Sequence, residues 1–185
     1  MKIVLVRHGE SEGNVKHEIN DNPQRVVNLT AQGRAQAEAA AERLREIRFT
    51  HAYVSEFPRA QQTAVILLRH HDLPLHIDAR LNERRSGMDG LPVHIFNDEA
   101  NKDYLHYKPE YGESFLEQMA RLRSFLDEIA ARHPDGVVLA VSHENPIVAA
   151  TALQAARPEL VMRNSVMNCG SVELQWPSPV AAPPQ

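Results

Sequence analysis

Two short runs of aliphatic and β-branched residues, Ile3-Val4-Leu5-Val6 and Val137-Val138-Leu139-Ala140-Val141, constrain this chain more than any other feature. Neither alternates apolar with polar residues, so each reads as a strand buried on both faces, as in a parallel sheet covered by helices. Both stop abruptly at polar residues: Arg7-His8-Gly9-Glu10-Ser11 follows the first and Ser142-His143-Glu144-Asn145-Pro146 the second. Further strands are predicted around residues 52–54 and 75–77, with an edge strand over 171–175. Helical patterns lie between them. Residues 31–47 are rich in Ala, Glu and Arg behind the N-cap candidate Thr30, and Pro58 suits the first turn of a helix running to about His70. Phe115, Met119, Leu122, Leu126 and Ile129 recur at helical spacing after Ser114, with Glu117 completing a capping box. Asn145 followed by Pro146 predicts a fourth start. The expected class is α/β, a three-layer α/β/α sandwich around a mostly parallel central sheet, with ligands beyond the carboxyl ends of the strands.

Composition narrows what such a fold can do. The 185 residues carry 20 Lys+Arg against 24 Asp+Glu, a formal net charge of −4. Non-specific binding to nucleic acid or to an anionic membrane needs a net positive field, so neither is an expected partner, and an anionic ligand must be held by local charge. A chain of this size buries roughly 70% of its unfolded surface, enough for one core. One domain over residues 1–176 is expected, followed by a Pro-rich tail over 177–185 that reads as disordered. The single Cys169 excludes an intrachain disulfide, and neither a signal-peptide pattern nor an apolar span of roughly 20 residues is visible. A cytoplasmic setting is the expectation. Residues 16–28 and 84–112 are irregular and too long for minimal connections. The second stretch holds Phe96, Tyr104, Tyr107 and Tyr111, four of the chain's ten aromatic residues, which read either as a satellite hydrophobic cluster or as a substrate-facing wall.

Ten histidines raise the question of a metal site. No HExxH or other ligand spacing for zinc is present, and the strand-end histidines keep company with arginines, which disfavour a cation. No metal and no cofactor are expected. If the two apolar strands are neighbours, His8 and His143 face one pocket at helix N-termini, where backbone N–H groups favour anions. Arg7 adds a permanent cation suited to phosphate oxygens. Taken singly, a strand-end histidine, Arg59 behind Pro58, Glu83 in Asn82-Glu83-Arg84-Arg85 and the loop residue Asn14 each have a bland structural reading.

As a set they resemble a known pattern. Leu5-Val6-Arg7-His8-Gly9-Glu10-Ser11 with Asn14, then Leu29-Thr30 through Gly33 to Gln36-Ala37, Ser55 to Arg59-Ala60 with Gln62-Thr63-Ala64, Leu81-Asn82-Glu83 with Gly87 and Gly90, Gly112-Glu113-Ser114, and Val141-Ser142-His143 resemble, in order, the histidine phosphatase superfamily, the phosphoglycerate mutase-like family. The resemblance spans nearly the whole chain apart from the two loops and the tail, and is nearer to the phosphatase branch. It implies a phosphoglycerate mutase-like fold and a metal-independent phosphomonoesterase of the histidine acid phosphatase kind. His8 would be the nucleophile that forms a phosphohistidine. Arg7, Arg59 and His143 would surround the phosphoryl oxygens as catalytic and substrate-binding groups, Asn14 would add a donor, and Glu83 would be the general acid and base. Thr30, Gly33 and Gln61-Gln62-Thr63 read as structure.

The pattern is broken after the second histidine, where the family often has small residues and this chain has Glu144-Asn145. A carboxylate there would repel a phosphate dianion, so it must turn away, pair with a cation such as Arg84 or Arg85, or meet a cationic substrate group. Glu144 is therefore expected to shape specificity. The alternatives are phosphoglycerate mutase-type transfer, for which the chain is short, a metal-dependent hydrolase, and a non-catalytic phosphate-binding module. The substrate is expected to be a small phosphorylated metabolite whose identity, like the oligomeric state, the sequence leaves open.

Overall fold

A computed structural model describes residues 1–156 and 166–177. Its strands are β1 (Lys2–Arg7), β2 (His51–Val54), β3 (Leu75–Ile77), β4 (Val137–Ser142) and β5 (Ser171–Gln175). They form one sheet in the order β3-β2-β4-β1-β5. The first four are mutually parallel, and β5 closes one edge antiparallel to β1. The helices are α1 (Glu12–Lys16), α2 (Ala31–Leu44), α3 (Pro58–Leu67), α4 (Val93–Ala100), α5 (Phe115–Arg132) and α6 (Glu144–Ala155).

The pleat explains the unbroken apolar runs. Ile3, Leu5, Val138 and Ala140 point to one face, against Leu122, Phe125, Leu126 and Ile129 of α5 and Ile147 and Ala150 of α6. Val4, Val6, Leu139 and Val141 point to the other, against Ala37, Ala40 and Ala41 of α2 and Ala60 and Ala64 of α3. Alanines dominate this second face, so the two helices sit close to the sheet. The three-layer expectation holds, and β1 and β4 are neighbours in register, with Arg7 opposite Ser142.

Helix ends depart from the sequence reading in four places. The α2 helix stops at Leu44 rather than 47, because Arg45 and Ile47 close short bonds back to Glu42 and Leu44 instead of continuing the ladder. A 3₁₀ turn, Leu68–His70, replaces the last turn expected of α3. The α6 helix begins two residues before Pro146, with His143 as N-cap; the proline falls within the first turn, where its missing N–H has no intrahelical acceptor to lose. Residues 93–100, read as irregular, form α4, whose buried Phe96 and Ala100 span too few turns for a periodic signal. Trp176 packs in the core with its indole N–H on Asp127 at 2.8 Å; residues 178–185, where the tail was expected, lie outside the described residues.

The loop after β1 is pressed onto α2 by two glycines. A Cβ on Gly9 would lie 2.4 Å from the Gly33 carbonyl oxygen, and one on Gly33 would lie 2.0 Å from the Glu10 carbonyl oxygen. Both contacts are to backbone, which cannot rotate away. Gly9 N–H also donates to Thr63 Oγ1 at 3.1 Å, and Glu10 N–H to Gln36 Oε1 at 2.9 Å. The Gly33→Ala protein is therefore expected to lose about 1–3 kcal/mol of stability through overpacking. An unchanged urea midpoint would show that the loop yields freely.

Candidate active site

The carboxyl ends of the four parallel strands supply the chemistry. Arg7 ends β1 and His8 follows it; Ser55 follows β2, and Arg59 lies in the first turn of α3. Glu83 comes after β3 through a 3₁₀ turn, Ala79–Leu81, and His143 follows β4. The Ser142 hydroxyl donates to the Leu81 carbonyl at 2.6 Å, which ties the Glu83 segment to β4. His8, Arg59 and His143 are 3%, 4% and 0% exposed, while Arg7 and Glu83 are half-buried beside them at the cavity wall.

Arg59 is the hub, and because arginine can only donate, its bonds settle the histidine tautomers. Its Nε donates to His8 Nε2 at 3.0 Å and one terminal nitrogen to His143 Nδ1 at 3.1 Å. His8 must then carry its proton on Nδ1, which donates to the Gly9 carbonyl at 2.6 Å and leaves a lone pair on Nε2. His143 must carry its proton on Nε2, donated to Ser55 Oγ at 2.8 Å. The two rings stand edge to face, 5.1 Å apart. Burial, followed by the Arg59 charge, holds both histidines well below the ordinary value, hence neutral. Burial also pulls Arg59 down, to about 10, against the opposing attraction of Glu83.

Glu83 is half-buried at the cavity wall. Desolvation raises its pKa; the Arg84 N–H, 2.7 Å from Oε1, the Arg59 charge and a hydrogen bond from Asn145 pull the other way without reversing it. Glu144 does face the site, but its partner is Arg7 at 3.0 Å, in place of the Arg84 or Arg85 expected from the sequence. Arg7 also donates to the Val166 carbonyl at 2.6 Å. Arg84 is occupied elsewhere: it is 3% exposed, donates to the Tyr107 carbonyl at 2.7 Å and lies over the rings of Phe96, Tyr104 and Phe115. Arg85 pairs with Glu113.

Asn14 lines the cavity, yet its Oδ1 serves the N-terminus of α1, accepting from the Ser11 N–H and hydroxyl at 3.0 Å each. Asn20, which sequence reasoning missed, grips Arg59 through both its side-chain and backbone oxygens. The two irregular stretches are sewn together around it. Asp89 accepts from the Asn20 side chain and from the Asp21 and Asn22 N–H groups, while Asp21 accepts from the Ser86 hydroxyl and Gly87 N–H at 2.8 Å each. Ile19 and Leu91 exchange a backbone bond of 2.8 Å. The loop aromatics divide between the two expected roles: Phe96 and Tyr104 line the cavity, Tyr107 backs Phe96, and Tyr111 is exposed.

The resulting cavity, about 400 Å³, has Arg7, His8 and Arg59 at one end and the loop residues at the other. Among the described residues no group of three or more His, Cys, Asp or Glu is placed to hold a metal ion, and no helix is long and apolar enough to cross a membrane. Such a cluster of fixed donors around a neutral imidazole suits attack on a tetrahedral anion.

Several known proteins are similar to this chain. A 2,3-bisphosphoglycerate-dependent phosphoglycerate mutase of Methylobacterium is 36% identical over 160 residues, 78% of this chain and 76% of that protein. A probable fructose-2,6-bisphosphatase of Danio rerio, TIGAR A, is 33% identical over 73% of this chain, which spans only 57% of that relative's length. Among solved structures, a mycobacterial glucosyl-3-phosphoglycerate phosphatase in complex with VO3 has a TM-score of 0.83 at 27% identity, covering 94% of this chain and 90% of that one. The sequence profile of the histidine phosphatase superfamily, branch 1, matches residues 3–179. With its strand-end histidines, arginines and glutamate brought to one cavity, this chain belongs to the histidine phosphatase superfamily.

Proposed function

We propose that this chain is a metal-independent phosphomonoesterase that hydrolyses a small phosphorylated metabolite through a phosphohistidine on His8. The observation that carries the reading is the fixed tautomer of His8: with Nδ1–H on the Gly9 carbonyl, Nε2 keeps its lone pair, which accepts from Arg59 Nε. In the first step a His8 Nε2–P bond forms as the ester P–O bond breaks, and Glu83 gives its proton to the leaving alkoxide. In the second, water attacks phosphorus, the P–N bond breaks, and Glu83 takes the water's proton. Arg7 and Arg59 meet the charge on the phosphoryl oxygens. The Arg59 Nε now on His8 must move onto those oxygens for phosphorus to approach, and His143 Nδ1, bonded to the same guanidinium, follows its position. Asn14 is a further donor in this scheme.

A mutase must retain its phosphohistidine and shield it from water. Hydrolysis is favoured because Arg7 and Glu83 are both partly exposed, so water has access to the reacting centre. The buried free Cys169 and the absence of a disulfide requirement agree with a cytoplasmic enzyme.

Four outcomes are expected. His8→Ala should abolish turnover of an aryl phosphate and leave no acid-labile phosphoprotein in a rapid quench; full activity in that variant would end the proposal. The pH profile of kcat/KM for an alkyl phosphate should decline on the alkaline side as Glu83, whose pKa is raised, loses its proton. It should hold on the acidic side to well below the ordinary histidine value, because His8 is depressed. Glu83→Gln should cost about 10²–10⁴ in kcat/KM with that poor leaving group and far less with a nitrophenolate; equal losses with both would remove Glu83 as the acid. Glu144→Gln should strengthen competitive inhibition by inorganic phosphate about five-fold, since the released Arg7 ion pair is worth ~1 kcal/mol at partial exposure. An unchanged inhibition constant and substrate profile would leave Glu144 without a part in specificity.

A further inference from the structure

Beyond the reacting end, the cavity carries a second piece of information, the charge it tolerates in the rest of the substrate. Three arginines line it. Arg7 and Arg59 both belong to the end that holds His8. Arg84 is removed from service: its Nε donates to the Glu113 carbonyl at 3.3 Å, a terminal nitrogen to the Tyr107 carbonyl at 2.7 Å, and its faces lie 5.0 Å from the centre of the Phe96 ring and 5.3 Å from that of Tyr104. Among the described lining residues there is no lysine and no further arginine.

Carboxylates stand in the same wall. Glu144 meets Arg7 at 3.0 Å, Glu18 pairs with Arg25 at 3.3 Å, and Asp21 accepts from Ser86 and Gly87. The remaining surface mixes apolar and aromatic groups, Ile19, Val93, Phe96, Tyr104 and Val148, with neutral polar ones, Ser11, Asn14, Asn20, Ser86, Asn97 and Asn145. A second phosphate or a carboxylate placed there would lose water, meet like charge and find no cation among these side chains. A flat apolar or hydroxyl-bearing body would bury its faces against Phe96 and Tyr104 instead.

Building on the phosphomonoesterase reading, we infer that the preferred substrates are phosphomonoesters whose only anionic group is the transferred phosphate, attached to an uncharged, partly apolar body. Bisphosphates and phosphorylated carboxylic acids are selected against because the cations near that part of the cavity, Arg7, Arg25 and Arg84, are already engaged by Glu144, Glu18 and the Tyr107 carbonyl.

The test compares compounds matched in shape. Glycerol 3-phosphate and 3-phosphoglycerate differ in replacing a hydroxymethyl group by a carboxylate, and β-naphthyl phosphate adds an apolar body. With the wild-type chain, kcat/KM should be at least about ten-fold higher for glycerol 3-phosphate than for 3-phosphoglycerate, and KM should be lowest for β-naphthyl phosphate. Phe96→Ala should raise KM for β-naphthyl phosphate more than for glycerol 3-phosphate. Equal or better turnover of 3-phosphoglycerate overturns the inference and leaves the phosphatase reading standing. Failure to hydrolyse any of the three defeats the phosphatase reading, and calorimetric binding of the same pair to His8→Ala protein then decides the charge preference by itself: tighter binding of 3-phosphoglycerate overturns it, tighter binding of glycerol 3-phosphate upholds it.

Discussion

A buried guanidinium organises this molecule. Arg59 is 4% exposed, and its donors reach His8, His143 and both oxygens of Asn20. A cation out of water is costly unless every N–H is taken up and an anion lies near. Here the N–H groups are met by neutral acceptors, and the nearest compensation is the attraction of Glu83. The site is consequently short of negative charge before substrate arrives. A phosphoryl dianion supplies that charge where the solvent cannot, which makes binding and preorganisation the same interaction.

Rigid and irregular parts divide the work. The histidines and arginines proposed to meet a phosphoryl group sit at strand ends or in a first helical turn, fixed by two apolar layers and by the Gly9–Gly33 contact. The far wall comes from residues 16–28 and 84–112, which have few regular bonds of their own and use Asp21 and Asp89 as cross-links. Arg84 anchors the second stretch by spending its charge on backbone carbonyls and aromatic faces. The same loop therefore gains order and loses a cation, and its substrate-facing wall becomes neutral as a consequence of how it is held.

The layers and the reacting end were legible because they follow from local rules. A β-branched run with no polar alternation has to be covered on both faces, and a histidine directly after each of two such runs has to emerge at one edge. Asn20 left no comparable trace, and Ser55 and Asn145 stood in the pattern without a role of their own: each matters through a partner 39, 88 or 41 positions away, in Arg59, His143 and Tyr104. The Glu144 partner was missed for a related reason. Arg84 and Arg85 stood as example cations in one of three alternatives, whereas register places Arg7 opposite Ser142, two residues from Glu144. Helix α4 was hidden by length, since eight residues give its buried face only two contacts, Phe96 and Ala100.

Glu83 and Glu144 show how one cavity assigns opposite duties to the same side chain. Glu144 leans toward solvent and holds Arg7, so its charge is balanced and it acts as a counter-ion at the mouth. Glu83 is desolvated, and the groups that favour its ionised form, an N–H, an amide and the Arg59 charge, do not offset burial. The Asn145 amide that touches Glu83 has its own oxygen held by the Tyr104 hydroxyl from the far loop. Where Tyr104 sits thus bears on how easily Glu83 keeps its proton. The loop that lines the cavity is in this way joined by two hydrogen bonds to the carboxyl proposed as the acid.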